Sequence, residues 1–324
     1  MTIRRRTLIT GAAASLAAPM LHAQTLPNGP VRIIVGFPPG GGTDILARVL
    51  APRLQEMWKV NVLIENKAGA AGVLAADFVA KAPADGNTLL MAHINSHAIA
   101  PALQPKLSYN AETDFAPIAL VGVTPNLLIC NQDQPAKTVK DLVALCRARP
   151  GHVTFGSSGP ASAQHLALEL FKFQAKVFAL HIPYRGSGPL ITDLIGGQVQ
   201  YSFETMTAAT PHVKGGRVVA VAQTRPARSK AYPNVPTLSE EGFPGFDATT
   251  WYGLAGPGNM APAIVKRMNE DINKALQIPE VAERLAAAGA EDSGGTPERF
   301  AEFMKSERNK YSKLAKDAGI KIDS

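Results

Sequence analysis

Val31–Trp58 reads VRIIVGFPPGGGTDILARVLAPRLQEMW: a short β-branched strand, a Pro/Gly loop, then an amphipathic helix opening near Thr43. The same order recurs downstream. NVLIE (Asn61 to Glu65) leads through NKAGAAG into VLAADFVAKA, and TLLMA (Thr88 to Ala92) leads through HINSHA into a short helical turn. YNAETDFAPIALVG then reads as a loop followed by a strand. Strands alternating with helices in this way predict an open parallel α/β sheet with helices on its faces.

A second set starts near Pro125. NLLIC, HVTFG, VFALHIPY, QVQYSFE and RVVAVAQT read as strands, separated by the helical patterns TVKDLVALCRARP, SAQHLALELFKF, PLITDLIGG and TAATPHVKGG. After Ala222 the chain turns Pro- and Gly-rich and then helical, and those helices are expected to cover the first sheet. The boundaries that follow are 24–122 for domain 1, 123–222 for domain 2, and 223–324 for a return to domain 1. The chain would cross near 120–128 and again near 218–226, which makes a hinge and a cleft.

The N-terminal end has a different grammar. Arg4, Arg5 and Arg6 precede an apolar run from Leu8 to Leu21, and Ala23 offers a small residue for cleavage. Residues 1–23 therefore read as a signal peptide and place the mature chain in the periplasm. Thr7 and Leu8 match a twin-arginine signal only loosely, so both export routes stay open. The formal charge of +7 falls to +4 without the three signal arginines and is spread thinly. With aromatic residues at 6% there is no stacking platform for nucleic acid. Cys130 and Cys146 stand in apolar patterns that suit buried thiols as well as a disulfide.

The loops carry the functional signal. In Gly36 to Asp44, GFPPGGGTD, glycines let backbone approach a ligand while the first N–H groups of the helix face an anion. A tight turn capped by Thr43 or Asp44 is the competing reading. GSSGPASAQH, Gly156 to His165, is comparable, with Ser157, Ser158 and Ser162 as donors or Ser162 as a plain helix cap. Asn95 and Ser96 follow the third strand, where open sheets gather ligand contacts. Arg185, after Tyr184, could fork onto a carboxylate or face water, and Glu204 could receive an ammonium or hydroxyl. There is no GxSxG elbow and no HExxH, so no catalytic residue, cofactor or metal is expected.

In order and spacing, GFPPGGGTDILAR, ENKAGAAGVLAADFVAKAPADGNTLLM, YNAETDFAPIALV, SAQHLALELFK, HIPYRGSGPLITDLIGGQV and VPTLSEEGFPGFDATTWYGLAGP resemble the solute-binding proteins of tripartite tricarboxylate transporters, the Bug family. The resemblance covers essentially the mature chain. It implies an α/β, two-domain, type II-like periplasmic-binding-protein clamp that closes over a small organic acid and presents it to a membrane permease, acting as a monomer without chemistry on the solute. A ligand sensor feeding a signalling partner, or an enzyme acting on a small carboxylate, are the alternatives. By motif position, the resemblance points to Phe37, Gly41, Gly42, Thr43 and Asp44; Asn95 and Ser96; Ser157, Ser158 and Ser162; Tyr184 and Arg185; and Glu204 as the pocket. Two departures bear on the solute: Ala161 stands where the family commonly has glycine, and Glu204 where it commonly has aspartate.

Overall fold

The computed structural model describes residues 29–104 and 106–317, so the expected signal segment lies outside the described residues. The first half is built from β1 (Val31–Val35), α1 (Gly42–Trp58), β2 (Val62–Asn66), α2 (Val73–Ala80), β3 (Thr88–His93), α3 (Ala100–Leu103) and β4 (Phe115–Thr124). The second holds β5 (Asn126–Asn131), α4 (Val139–Ala148), β6 (Thr154–Ser157), α5 (Ala163–Ala175), β7 (Leu180–Pro183), α6 (Ser187–Ile195), β8 (Tyr201–Thr205), α7 (Met206–Lys214) and β9 (Val218–Gln223). The chain then returns through β10 (Thr250–Pro257), α8 (Pro262–Leu276), α9 (Pro279–Ala287) and α10 (Pro297–Asp317).

Each half is a five-stranded sheet, ordered β2-β1-β3-β10-β4 and β7-β6-β8-β5-β9. Neither is wholly parallel, which corrects the sequence expectation. β10 runs antiparallel to both β3 and β4, and β5 antiparallel to both β8 and β9. The strands that cross between halves arrive reversed, so they insert antiparallel beside parallel neighbours. β10 itself is absent from the sequence reading because TWYGLAGP looks like loop text. Its eight residues are all buried, and its glycines record close approach: a side chain at Gly253 would strike the Phe300 ring, and one at Gly256 the Met260 sulfur.

Both sheets carry apolar clusters on two faces. Leu46, Leu50, Leu54 and Trp58 of α1 pack with Met268 and Ile272 of α8 on one side of the first sheet. Val73, Ala76 and Val79 of α2 pack with Phe300 and Met304 of α10 on the other. In the second half, Phe155, Phe171, Tyr201 and Phe203 form one core, and Leu190, Leu194 and Met206 the other.

The first crossing is at Thr124–Asn126. The second falls near 248–250 instead of 218–226, because Leu238, Phe243 and Phe246 bury themselves in the second half. The strands are tied there by Asn126. Its amide donates to Ala248 O at 2.7 Å, its side-chain oxygen accepts from Thr250 at 3.2 Å, and its backbone N–H donates to Thr224 Oγ1 at 2.9 Å. A fully buried polar side chain with both functions bonded fixes the relative position of three chain segments at the pivot.

Candidate functional site

The loops after β1, β2, β6 and β7 meet across the space between the two halves. They enclose a cavity of about 550 Å³ lined by Gly36, Phe37 and Pro38, Ala68 to Ala71, Gln104, Ser158 to Ala161, and Tyr184 to Gly186. A second concavity of about 650 Å³ lies against Met260, Val265 and Pro297 on the first half alone. Of these two, the cleft cavity has walls from both halves, the usual position of a small-molecule site between domains.

Asp44 organises the first loop. Its carboxylate accepts from Gly40 N at 3.0 Å, Asn66 Nδ2 at 2.9 Å and Arg48 Nε at 2.9 Å, while Asn66 also donates to Phe37 O at 2.9 Å. Burial opposes its ionisation, but the Arg48, Gly40 and Asn66 bonds outweigh that and hold the carboxyl below the usual range. Asp44 is thus the third residue of α1, reaching back to the loop as in a capping box. Gly41 is the helix cap, and Gly42 has no room for a side chain because the Tyr252 hydroxyl lies against it. Thr43, like Asp44, is buried behind the cavity.

The second loop, between β2 and α2, was missed as a pocket wall. Ala70 and Ala71 stand at φ +45° and +52°, and Ala161 across the cleft at +58°. All three line the cavity in a left-handed conformation that alanine adopts only when its surroundings impose it, a pattern typical of binding loops. The signal in the sequence is NKAGAAG, whose strand–glycine–helix grammar matches the loop at Gly36.

After β3 the chain makes a π-helical turn, Asn95–Ile99. Asn95 N–H donates to His93 Nδ1 at 3.1 Å, and Tyr109 OH donates to Ser96 O at 2.6 Å. Asn95 also reaches across the cleft, its Oδ1 accepting from Ala163 N at 2.9 Å. The N-terminus of α5, read from sequence as either an anion-binding end or a plainly capped one, is therefore shared with a side chain from the other half. Burial lowers His93 and His97 to about 3, with His97 adding to the shift at His93 and Arg308 to that at His97, so both rings are neutral.

On the second half, Ser162 caps α5 by accepting from His165 N at 3.2 Å. Ser157 Oγ donates to Gly159 O at 3.0 Å and Ser158 Oγ to Gln164 Oε1 at 2.8 Å. Tyr184 donates through its hydroxyl to Asp193 at 3.0 Å, and Arg185 is exposed at the rim. Glu204 is fully buried. Its Oε1 accepts from Gln164, Ser187 and Thr205 N at 3.0, 3.0 and 2.7 Å, whereas Oε2 finds no partner among the described residues. Burial raises its pKa against the pull of those bonds.

Of the residues expected from sequence, the structure places Phe37, Ser158, Tyr184 and Arg185 on the cavity wall. Gly41, Gly42, Thr43, Asp44, Asn95, Ser96, Ser157, Ser162 and Glu204 are buried and are not among its lining residues. Gln104, Pro160 and Gly186 join the wall without having been singled out, and Ala161, expected from the sequence to bear on the solute, stands on it as well.

The family model described as tripartite tricarboxylate transporter family receptor matches residues 46–320. The chain belongs to this receptor family. Among its relatives, protein BugT of Bordetella pertussis is 38% identical over 312 residues, covering 96% of this chain and 95% of that protein. The structure of Rpa4515 from R. palustris with adipate superposes with a TM-score of 0.88 at 33% identity, over 91% of this chain and 99% of that one. MatC from Rhodopseudomonas palustris with bound malate gives 0.84 at 30% identity, over 89% and 99%. As a member of the tripartite tricarboxylate transporter receptor family, the protein has the type II periplasmic-binding-protein clamp and works as an extracytoplasmic solute-binding component of transport, with no catalytic role.

Proposed function

We propose that the cleft captures a small organic acid, most simply a dicarboxylate, and that the closed clamp is what the membrane permease of a tripartite transporter recognises. The observation that carries this reading is the 550 Å³ cavity walled by loops of both halves. A solute that touches both walls favours the closed state by its differential contacts, which is all that a clamp requires. The relatives support the solute class, since Rpa4515 is described with adipate and MatC with malate. In this reading Phe37, Ser158, Tyr184 and Arg185 contact the solute, and backbone N–H groups of the loops that lead into α1 and α5 face its carboxylates. Helix N-termini and hydroxyls balance an anion without a buried cation that would have to be desolvated on closure. In the same reading residues 1–23 direct export, by either route, and are then cleaved.

The test is a thermal-shift screen of the mature chain from Gln24, refolded once to strip bound solute, against malate, succinate, adipate, aromatic acids, amino acids and sugars. A saturable rise with a carboxylate that is recovered unchanged is expected, worth about 2.7 kcal/mol at a hundredfold excess over Kd. A rise only with neutral solutes, or conversion of the compound, overturns it.

A further inference from the structure

Two histidines outside the cavity wall hold one of its two strained loops. His165, on the first turn of α5, and His181, on β7, stack with ring centroids 3.9 Å apart and planes 6° from parallel. Each ring grips one end of the loop that carries Ser158 to Ala161. Ala161 N–H donates to His165 Nδ1 at 3.3 Å, and His181 Nε2 is 2.6 Å from Ser157 Oγ.

We propose that His165 and His181 are positioning residues for the solute loop, whose stacked rings hold Ala161 in its left-handed conformation through the acceptor at His165 Nδ1, and that a proton placed on that acceptor releases the loop. The proposal rests on the solute-binding reading only in that this loop lines the cleft.

The donor pattern supplies the reason. With Nδ1 of His165 accepting from Ala161, the ring proton sits on Nε2, which faces the Glu169 carboxylate at 3.6 Å. A second proton must go to Nδ1, turning the acceptor into a donor aimed at the Ala161 N–H. Glu169 welcomes the positive charge, but Ala161 loses the partner that offsets its backbone strain.

The charged groups around the stack are Glu169 and Lys172 of α5. Lys172 Nζ pairs with Glu169 at 2.7 Å, and burial of Glu169 is outweighed by bonds from His165 and Lys172 that hold it at about 2. Glu169 thus stays ionised. His181 is lowered to about 4 by burial first and by the neighbouring His165, against the attraction of Glu169. Two imidazolium rings at stacking distance repel, which disfavours charging both.

Amide hydrogen exchange on the mature chain without added solute tests this by NMR, comparing wild type, His165→Asn and His165→Leu at about pH 7.5 and about pH 4.5, either side of the ordinary histidine pKa. The asparagine oxygen keeps an acceptor near the Nδ1 position and cannot titrate; leucine offers none. In wild type, the protection factor of the Ala161 amide is expected to fall about tenfold or more at the lower pH while the Leu46 amide stays protected. His165→Asn should hold protection at both pH values, and His165→Leu should lack it at both. Wild-type protection that is unchanged with pH, or that falls equally in His165→Asn, overturns the proposal. If His165→Leu does not fold, the asparagine comparison decides.

Discussion

Ala161 holds φ +58° on the cavity wall. An L-residue in that region costs about 1–2 kcal/mol, and part of a gain from glycine is returned through its greater freedom when unfolded. Ala161→Gly is therefore expected to stabilise the protein by about 0.5–1 kcal/mol, read as a raised urea midpoint at constant slope. Glu204 offers the second test at this scale. Its folded pKa is raised by burial, so it contributes stability that is complete below the ordinary value of 4.5 and is lost as pH rises through the folded value. Glu204→Gln keeps an acceptor for Gln164, Ser187 and Thr205 and cannot ionise. Its melting temperature relative to wild type should climb between about pH 5 and about pH 8; a constant difference would show that the buried carboxyl does not titrate there.

At the scale of elements, the loop into α1 behaves as a folded unit whose keystone is Asp44. Asp44→Ala removes acceptors for Gly40, Asn66 and Arg48 together, and a loss of about 2–3 kcal/mol in chemical unfolding is expected, since buried donors are left without partners. A loss below about 0.5 kcal/mol, the range of ordinary surface changes, would mean that the loop holds without it. Asp271 looks from the helical pattern of α8 like a surface position, yet its carboxylate is buried and accepts from Trp58 Nε1 at 3.2 Å and Arg267 Nε at 3.0 Å. It joins α1 to α8. Its replacement is therefore expected to cost more than an ordinary surface change.

Over the whole molecule, contacts between the halves decide how the cleft rests. Asn95 Oδ1 occupies an α5 donor that the sequence assigns to an anion, while its amide nitrogen has no partner among the described residues. Asn95→Ala removes this cross-cleft bond, so small-angle scattering of the solute-free protein should show a larger radius of gyration; an unchanged radius would place the hold elsewhere. Acid stability is also a property of the whole. His93 and His97, at about 3, and His181, at about 4, refuse protons that the unfolded chain accepts near 6.5. Their contribution is complete above 6.5 and drains away as pH falls toward those folded values. Melting temperature should decline steadily from about pH 6.5 to about pH 4, and a flat profile would contradict the neutral assignment of these rings.

The sequence by itself determined the local grammar: β-branched runs, the Gly- and Ser-bearing loops, the Ser162 cap and the helices that follow. These depend on neighbours only a few residues away, and they also carried the family resemblance. It did not reveal β10, because Gly253 and Gly256 read as turn residues until Phe300 and Met260 are known to fill the space above them. Nor did it place Leu238, Phe243 and Phe246, whose apolar character demands burial without saying in which half. The polar side chains divided in the same way. Thr43, Asp44, Ser162 and Asn95 could be recognised as residues able to bond an anion or a backbone, and only the tertiary structure decided between the two. A donor serves whichever acceptor the fold brings within 3 Å or so, and for Ala163 that acceptor is Asn95, sixty-eight positions away in sequence.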